Sequence, residues 1–279
     1  RFTVNIFDEM LASYETGNNN DKLNAVHEVM QQVALGGLYN GGFFNKAAFY
    51  GGTCLRIFYG LDRFSEDMDF SLLTPEPGFR LEPYFDAITT EFAALGQSID
   101  ITTKEKTAQS TIQPAFLKSD TAQYDIHLGR DQKIKIKIEV DTTPPLGFST
   151  EQKLLLQPFS FYTNCFTLPN LFAGKMHALI YRSWKNRVKG RDWYDFEWYV
   201  RKNVAMDFKH FCERAYQFGS EESGKLTPDR FRTILKDKIK ETDLRQVKND
   251  VMPFIKEQNK LNIWSTEYFL HLADMVKLS

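Results

Sequence analysis

Phe49-Tyr-Gly-Gly-Thr-Cys-Leu-Arg-Ile-Phe-Tyr-Gly-Leu-Asp-Arg-Phe-Ser-Glu-Asp-Met-Asp-Phe-Ser71 is the stretch from which the fold of this 279-residue chain is read. A short apolar run enters Gly51-Gly52, a helix-like run follows, and Asp67 and Asp69 then stand one residue apart between apolar neighbours. Successive side chains of a strand point to opposite faces. Asp67 and Asp69 therefore share one face, while Met68 and Phe70 point into a core. Two carboxylates on a rigid strand edge can bridge hard divalent cations such as Mg²⁺. A diglycine turn ahead of a helix leaves backbone N–H groups free to hold phosphates. The layout expected is that of a nucleotidyl-transfer site.

Outward from this stretch, an α+β half precedes a helical half. A helix is predicted over 21–35, with Asp21 as N-cap and breaks at Gly36-Gly37 and Gly41-Gly42. Strands at 47–50 and 67–73 flank a helix at 53–60. A helix over 82–95 and a strand over 98–103 come next. Residues 122–128 and 133–140 alternate strongly and are joined by Gly129-Arg-Asp-Gln132, a hairpin signal. A last strand is expected at 161–168. Helices follow at 171–184, 191–202, 207–218, 228–240, 244–257 and 265–278, with Thr227, Asp243 and Ser265 as N-caps. The domain reading is 1–169 for the α+β part and 170–279 for the helical part.

Composition narrows the class. Hydrophobic residues make up 42% and aromatic residues 14%, enough for one large domain or two medium ones. Net charge is −1, so any polyanionic partner must be held by a local patch. Cys54, Cys165 and Cys212 are far apart and odd in number, which excludes a disulfide framework or zinc spacing and fits a reducing, cytoplasmic setting. No apolar run reaches about 18 residues and no signal peptide is seen, so no membrane partner is expected. The diglycine is not a P-loop, because the Gly-Lys-Ser/Thr ending is missing.

Several further residues carry chemistry. Glu139, between Ile138 and Val140, repeats the apolar–acid–apolar context of Asp67 and Asp69, and would complete a three-carboxylate site for two metal ions if the strands are neighbours. Otherwise it balances Lys133, Lys135 and Lys137 on a wet face; Asp125 and, less so, Asp141 compete for the role. Thr53 could donate to a phosphate and Arg56 clamp one bidentately, or they serve as N-cap and surface residue. Arg63 and Ser65 lie just before the carboxylate strand, where a turn is the default; Ser65 is grouped with the nucleotide-binding residues.

Lys175 falls inside the apolar stripe of its helix, a costly place for a cation unless it is paired or aimed at an anion such as a triphosphate; snorkelling is the plain alternative. Asp192 and Asp195 share a helix face and could meet Lys175, to orient it or to accept a proton. Arg182, Lys185, Arg187, Lys189 and Arg191 put five cations into ten residues, either an RNA grip or a solvated loop. The aromatic residues around Trp193 read as helix-bundle core.

Gly51-Gly-Thr-Cys-Leu-Arg56, Leu61-Asp-Arg-Phe-Ser-Glu-Asp-Met-Asp-Phe70, Ala173-Gly-Lys-Met-His-Ala-Leu-Ile-Tyr-Arg182 and Gly190-Arg-Asp-Trp-Tyr-Asp195 together resemble the AbiEii/AbiGii abortive-infection toxin family, within the DNA polymerase β-like nucleotidyltransferases. Asp250-Val-Met-Pro-Phe-Ile255 is similar to that family's C-terminal helical region. The resemblance implies a polymerase β-like domain followed by a helical bundle. It also implies a bacterial toxin of a toxin–antitoxin, phage-defence pair with a cognate antitoxin. It implies an enzyme using Mg²⁺ (or Mn²⁺) and a nucleoside triphosphate, GTP or CTP, that adds nucleotides to RNA, with tRNA as the acceptor. By motif, Gly52 and Thr53 would sit at the phosphates, Asp67 and Asp69 at the metals, Lys175 at the triphosphate, and Asp192 would be the downstream catalytic acid; Gly51 is grouped with the nucleotide-binding residues. Glu139 is not fixed by a family motif. Cys54 stands where a small residue such as Ala is usual. A protein or small-molecule hydroxyl as acceptor, and a non-catalytic nucleotide- or partner-binding module, are the rival readings.

Overall fold

A computed structural model describes residues 5–104, 121–131, 133–182 and 188–279. The elements run α1 (Ile6–Ala12), α2 (Asn19–Asn40), β1 (Ala47–Tyr50), α3 (Gly51–Tyr59), β2 (Asp67–Leu72), α4 (Phe85–Ala94), β3 (Ile99–Lys104), β4 (Thr121–Leu128), β5 (Ile134–Asp141), β6 (Thr150–Leu155) and β7 (Phe161–Phe166). Helices α5 (Leu168–Tyr181), α6 (Gly190–Arg201), α7 (Phe208–Gln217), α8 (Pro228–Glu241), α9 (Leu244–Val251) and α10 (Thr266–Met275) follow. A short parallel pair, β8 (Ala205–Met206) with β9 (Lys277–Leu278), ties the C-terminus to the loop before α7. The fold is α+β, a mixed sheet with flanking helices and then a helical region.

Seven strands form one sheet in the order β3-β4-β5-β2-β1-β7-β6. Two registers place the chemistry. β2 runs parallel to β5 with Asp67 beside Lys137 and Asp69 beside Glu139. β1 runs antiparallel to β2 with Tyr50 opposite Asp69. Residues in register share a face, so Tyr50, Asp67, Asp69, Lys137 and Glu139 all project from the same side. Met68, Phe70, Ile138 and Val140 project from the other side and are fully buried. The core is continuous, from Phe7 in α1 to Val276 beyond α10.

The structure departs from the sequence reading in instructive places. The N-cap of α2 is Asn18, whose side chain accepts from the Asp21 N–H, and the helix runs through Gly36-Gly37 to Asn40. Gly37 does not break it: a Cβ there would lie 2.6 Å from the Ile88 Cα of α4. Glycine lets the two helices meet backbone to backbone. The helix expected over 244–257 stops at Val251, where Met252-Pro253 starts a 3₁₀ turn, since proline lacks the N–H that would continue it. α10 ends at Met275 because the following residues pair as β9. β6 was not expected, because Thr-Glu-Gln-Lys-Leu-Leu does not alternate; pairing with β7 supplies what its pattern lacks. Thr227, Asp243 and Ser265 cap α8, α9 and α10 as expected.

Candidate active site

The diglycine turn is shaped by the acids beneath it. Gly51 has φ +81°, and a Cβ there would stand 2.6 Å from Asp69 Oδ2. Only glycine combines this left-handed backbone with so close an approach. At Gly52 a Cβ would stand 2.7 Å from the Arg63 guanidinium and 3.3 Å from Ser65 Oγ. The turn is pressed onto Asp69 on one side and Arg63 on the other, and α3 starts there.

Asp67, Asp69 and Glu139 form an open acid face. Burial, then the charges of Glu139 and Asp67, push the Asp69 carboxyl up to about 7, with Lys189 and Arg182 pulling it the other way. Asp69 thus lacks a full complement of cations. Lys137, however, stands in the same face, with its ammonium 2.8 Å from Glu139 and 3.5 Å from Asp67. Gln123 donates a further bond to Glu139 at 3.0 Å. Among the described residues no group of three or more His, Cys, Asp or Glu side chains closes into a metal site. Glu139 stands in register beside Asp69 as the three-carboxylate reading expects, with its carboxylate engaged by Lys137 and Gln123. Asp125 lies on the same face but answers to Lys104 at 3.3 Å and Lys135 at 3.6 Å. Asp141 is buried and accepts from the Thr143 N–H.

Behind the turn lies a buried ionic quartet. The Arg63 guanidinium forks onto Asp195 with two contacts of 2.6 Å. The Lys175 ammonium reaches Asp192 at 2.7 Å and Asp195 at 2.9 Å. Arg63 is 2% exposed and Asp195 0%, so these charges are removed from water and must satisfy each other. Burial alone would push both carboxyls up. Arg63 and Lys175 instead hold Asp195 below its ordinary value, and Lys175, Lys189 and Arg182 hold Asp192 well below the carboxylate range. Lys175 is correspondingly raised despite its burial. An Asp192 so strongly stabilised as an anion is a poor proton acceptor. Its geometry is that of the residue orienting Lys175.

Three expected ligands are engaged within the protein. Arg56 donates to Glu28 at 2.6 Å and to the Leu61 carbonyl at 3.1 Å, and lies 4.4 Å over the Phe64 ring. Its donors are spent on the α2–α3 junction and do not join the acid face. The Thr53 hydroxyl is fully buried and contacts Ser65 Oγ at 2.8 Å and the Asp67 carbonyl. Thr53 and Ser65 thus buttress the link between the turn and β2 from within. Ser65 and Glu66 are fastened in turn by Gln31, whose amide donates to both carbonyls.

The basic stretch divides. Lys185 and Arg187 lie outside the described residues. Arg191 is committed within the molecule, 3.0 Å from Glu66 and 4.3 Å over the Phe254 ring, so it is not an open RNA contact. Arg182 is exposed, Lys189 is partly buried, and both bear electrostatically on Asp69 and Asp192. Burial, with Arg182 and Lys175 as like-charged neighbours, holds Lys189 below its ordinary value. The family-like segment 250–255 clamps this end. Asp250 accepts from the Gly190 N–H at 2.7 Å, and the Phe254 carbonyl accepts from Phe64 N–H at 3.0 Å.

Sequence reasoning missed the buried pairing of Arg63, whose partner lies 132 positions away and outside any local spacing rule. It also passed over Tyr50 and Arg214. Arg214 carried the same cue as Lys175, a cation inside an apolar helix stripe beside Phe211 and Ala215. A separate cavity of about 370 Å³ opens beside Glu28, Arg56, Gly60 and Asp62. None of Asp67, Asp69 and Glu139 lines it, and the acid face is the better chemical candidate because three carboxylates there stand beside the Gly51-Gly52 turn.

Comparison with known proteins bears on the family and the fold. The family model for the nucleotidyl transferase AbiEii toxin, type IV toxin–antitoxin system, matches residues 33–271. In fold, the chain is similar to MenT4, a nucleotidyltransferase toxin from Mycobacterium tuberculosis, at 15% identity and a TM-score of 0.58, covering 96% of this chain and 93% of that one. It is also similar to JHP933 from Helicobacter pylori, at 19% identity and a TM-score of 0.50, covering 90% and 89%. No curated protein matches the sequence.

Proposed function

Because the chain belongs to the AbiEii family of nucleotidyl transferase toxins, we propose that it moves a nucleotide, with a divalent cation, Mg²⁺ or Mn²⁺, from a nucleoside triphosphate to the 3′-hydroxyl of an RNA, with tRNA as the acceptor. The family makes the protein a nucleotidyltransferase and implies an antitoxin partner and a nucleotide substrate. Among the described residues no helix is long and apolar enough to cross a membrane.

One observation carries the reading: Asp67 and Asp69 project together beside the Gly51-Gly52 turn, and burial with its acid neighbours pushes Asp69 up to about 7. This donor set fits the proposed cation. Mg²⁺ is commonly held by one or two carboxylates together with substrate phosphates, without an all-protein cage. When bound, the cation would offset charge on the transferring phosphoryl group.

The chain's own residues do the rest. The backbone at Gly51 and Gly52 opens the start of α3 to phosphate oxygens. Arg63 and Asp195 fix the turn and Lys175 in one frame. Lys175, oriented by Asp192, faces the triphosphate, and Lys189 and Arg182 add positive potential over Asp69. The 3′-hydroxyl attacks the α-phosphorus and gives up its proton to solvent, a new P–O bond forms, and the bond to the departing pyrophosphate breaks. With Arg191 held inside the molecule, the RNA reading leans on exposed Arg182 and on the family resemblance.

Incubation with each α-labelled nucleoside triphosphate and total bacterial tRNA tests the proposal. Labelled RNA is expected from GTP or CTP with the intact protein and not with Asp69→Ala. Label appearing equally with both proteins, or on protein and not on RNA, would sink it.

A further inference from the structure

Arg214, on α7, is a buried cation that has no ion pair among the described residues. It is 6% exposed, and among the described residues no carboxylate stands within ion-pair distance of it. Its Nε donates to His210 Nε2 at 3.1 Å. That imidazole supplies no negative charge: burial, then Arg214 itself, pushes His210 down to about 3, so it is neutral. His177 is pushed down to about 3 by the same two causes, in the same order. The guanidinium carbon lies 5.6 Å from the centre of the Tyr50 ring. Arg214 Nη2 is buried with no hydrogen-bond acceptor among the described residues. A buried guanidinium left this way is expensive. Packing alone would be served better by an apolar side chain of the same length.

Its place in the fold suggests what completes it. Tyr50 immediately precedes Gly51 and pairs in register with Asp69. Tyr50 is held on its other side by Phe166, ring centres 5.1 Å apart. Arg214 also lies against α5 at Gly174, where a Cβ would stand 3.6 Å from its Nε. Gly174 is the residue before Lys175. The unpartnered guanidinium therefore sits between the strand end that leads into the glycine turn and the helix that carries Lys175. Those are the two elements a triphosphate would touch in the function proposed above.

We propose that Arg214 is a receptor for the phosphates of the donor nucleotide, entering the site from the Tyr50 side, with Nη2 as the donor that the phosphate satisfies. This rests on the nucleotidyl-transfer reading and adds a binding residue to it. Arginine suits the role because its charge persists at any working pH and its planar donors match phosphate oxygens.

The test uses Arg214→Met and Arg214→Lys in the full chain. It measures thermal stability without ligand, and affinity for nucleoside triphosphate, for inorganic tripolyphosphate and for the bare nucleoside. The KM for RNA is measured alongside. Arg214→Met should melt at or above the wild-type temperature, because an uncompensated buried charge has gone. It should bind triphosphate and tripolyphosphate about 10–100-fold more weakly, with nucleoside affinity and RNA KM unchanged. Arg214→Lys should recover part of the loss. Unchanged tripolyphosphate binding in both variants would overturn the proposal. So would a raised KM for RNA with nucleotide affinity intact, which would assign the guanidinium to an RNA phosphate. If Arg214→Met fails to fold, Arg214→Lys decides: wild-type affinities in it overturn the proposal, and weakened phosphate binding alone supports it. A folded wild-type protein that binds no nucleotide at all would bring down the functional reading itself, a result distinguishable from the others.

Discussion

Two charged clusters lie within a few residues of each other and are built on opposite terms. The quartet Arg63, Asp195, Lys175 and Asp192 holds two cations and two anions, nearly all buried and each in contact with an opposite charge. The acid face holds Asp67, Asp69 and Glu139 against one resident cation, Lys137. The first is balanced within itself, two cations against two anions. The second holds more acids than cations, and burial together with those neighbouring acids raises the proton affinity of Asp69. A balanced buried network fixes geometry, whereas an unbalanced exposed one recruits ligands. The Gly51-Gly52 turn touches both, through Arg63 and Asp69, so the frame that does not titrate positions the face that does.

Breaking the closed cluster should have the largest effect. Arg63→Ala leaves Asp195 short of its bidentate partner and is expected to cost about 3–5 kcal/mol, read by chemical denaturation. The double variant Arg63→Met, Asp195→Leu should cost less than the single one; a single variant as stable as wild type would show that the quartet is not a frame. The open cluster should respond differently. Asp69→Asn removes a carboxylate whose ionisation the fold resists, and should stabilise the ligand-free protein at pH 8 by about 1–3 kcal/mol, discounted for partial solvent screening.

The sign follows from linkage. A carboxyl raised in the folded state binds its proton more tightly there than in the unfolded chain. Its contribution is therefore lost as pH rises from about 4 to about 7, and Asp69→Asn should flatten that slope. The quartet runs the other way. The stability from Asp192 and Asp195 is present above the ordinary carboxylate pKa and lost only on acidification below it. The stability from raised Lys175 is present below the ordinary lysine pKa and lost above the folded one. Between pH 5 and 9, calorimetric melting should thus report the acid face and not the quartet; an identical slope in Asp69→Asn would refute the contrast.

Two smaller effects sharpen it. Lys137→Gln removes the cation that competes at Asp67 and Glu139, and should lower the Mg²⁺ concentration for half-maximal activity about 3–10-fold. A higher requirement would mean that Lys137 assists binding. Thr53→Val deletes the hydroxyl between Ser65 and the Asp67 carbonyl, and should cost about 1 kcal/mol in denaturation with little change in nucleotide KM. A large rise in KM would restore Thr53 as a phosphate ligand.

The contrast also explains what could be read from the sequence. The acid face was legible because strand alternation is local: Asp67, Asp69 and Glu139 are each marked by apolar neighbours, and their registers follow. Lys175 was legible as a cation in an apolar stripe, and Asp192 and Asp195 as a pair on one helix face. Arg63 was not, since it gains meaning only from a residue beyond the sheet. For Arg56 and Thr53, spacing from a glycine turn does not reveal which way a side chain faces; Glu28 and the Asp67 carbonyl set that. Gly37 misled for a similar reason, as its role depends on α4. Local periodicity reports faces, and partners across the fold stay hidden until the chain is folded.

Binding of Mn²⁺ in the presence of a non-hydrolysable nucleoside triphosphate, followed by electron paramagnetic resonance in wild type and Asp69→Asn, tests the central claim most directly. The account predicts a nucleotide-dependent Mn²⁺ site in the wild type that is at least about 100-fold weaker in the variant, both proteins being folded. Equal Mn²⁺ affinity in the two would contradict it.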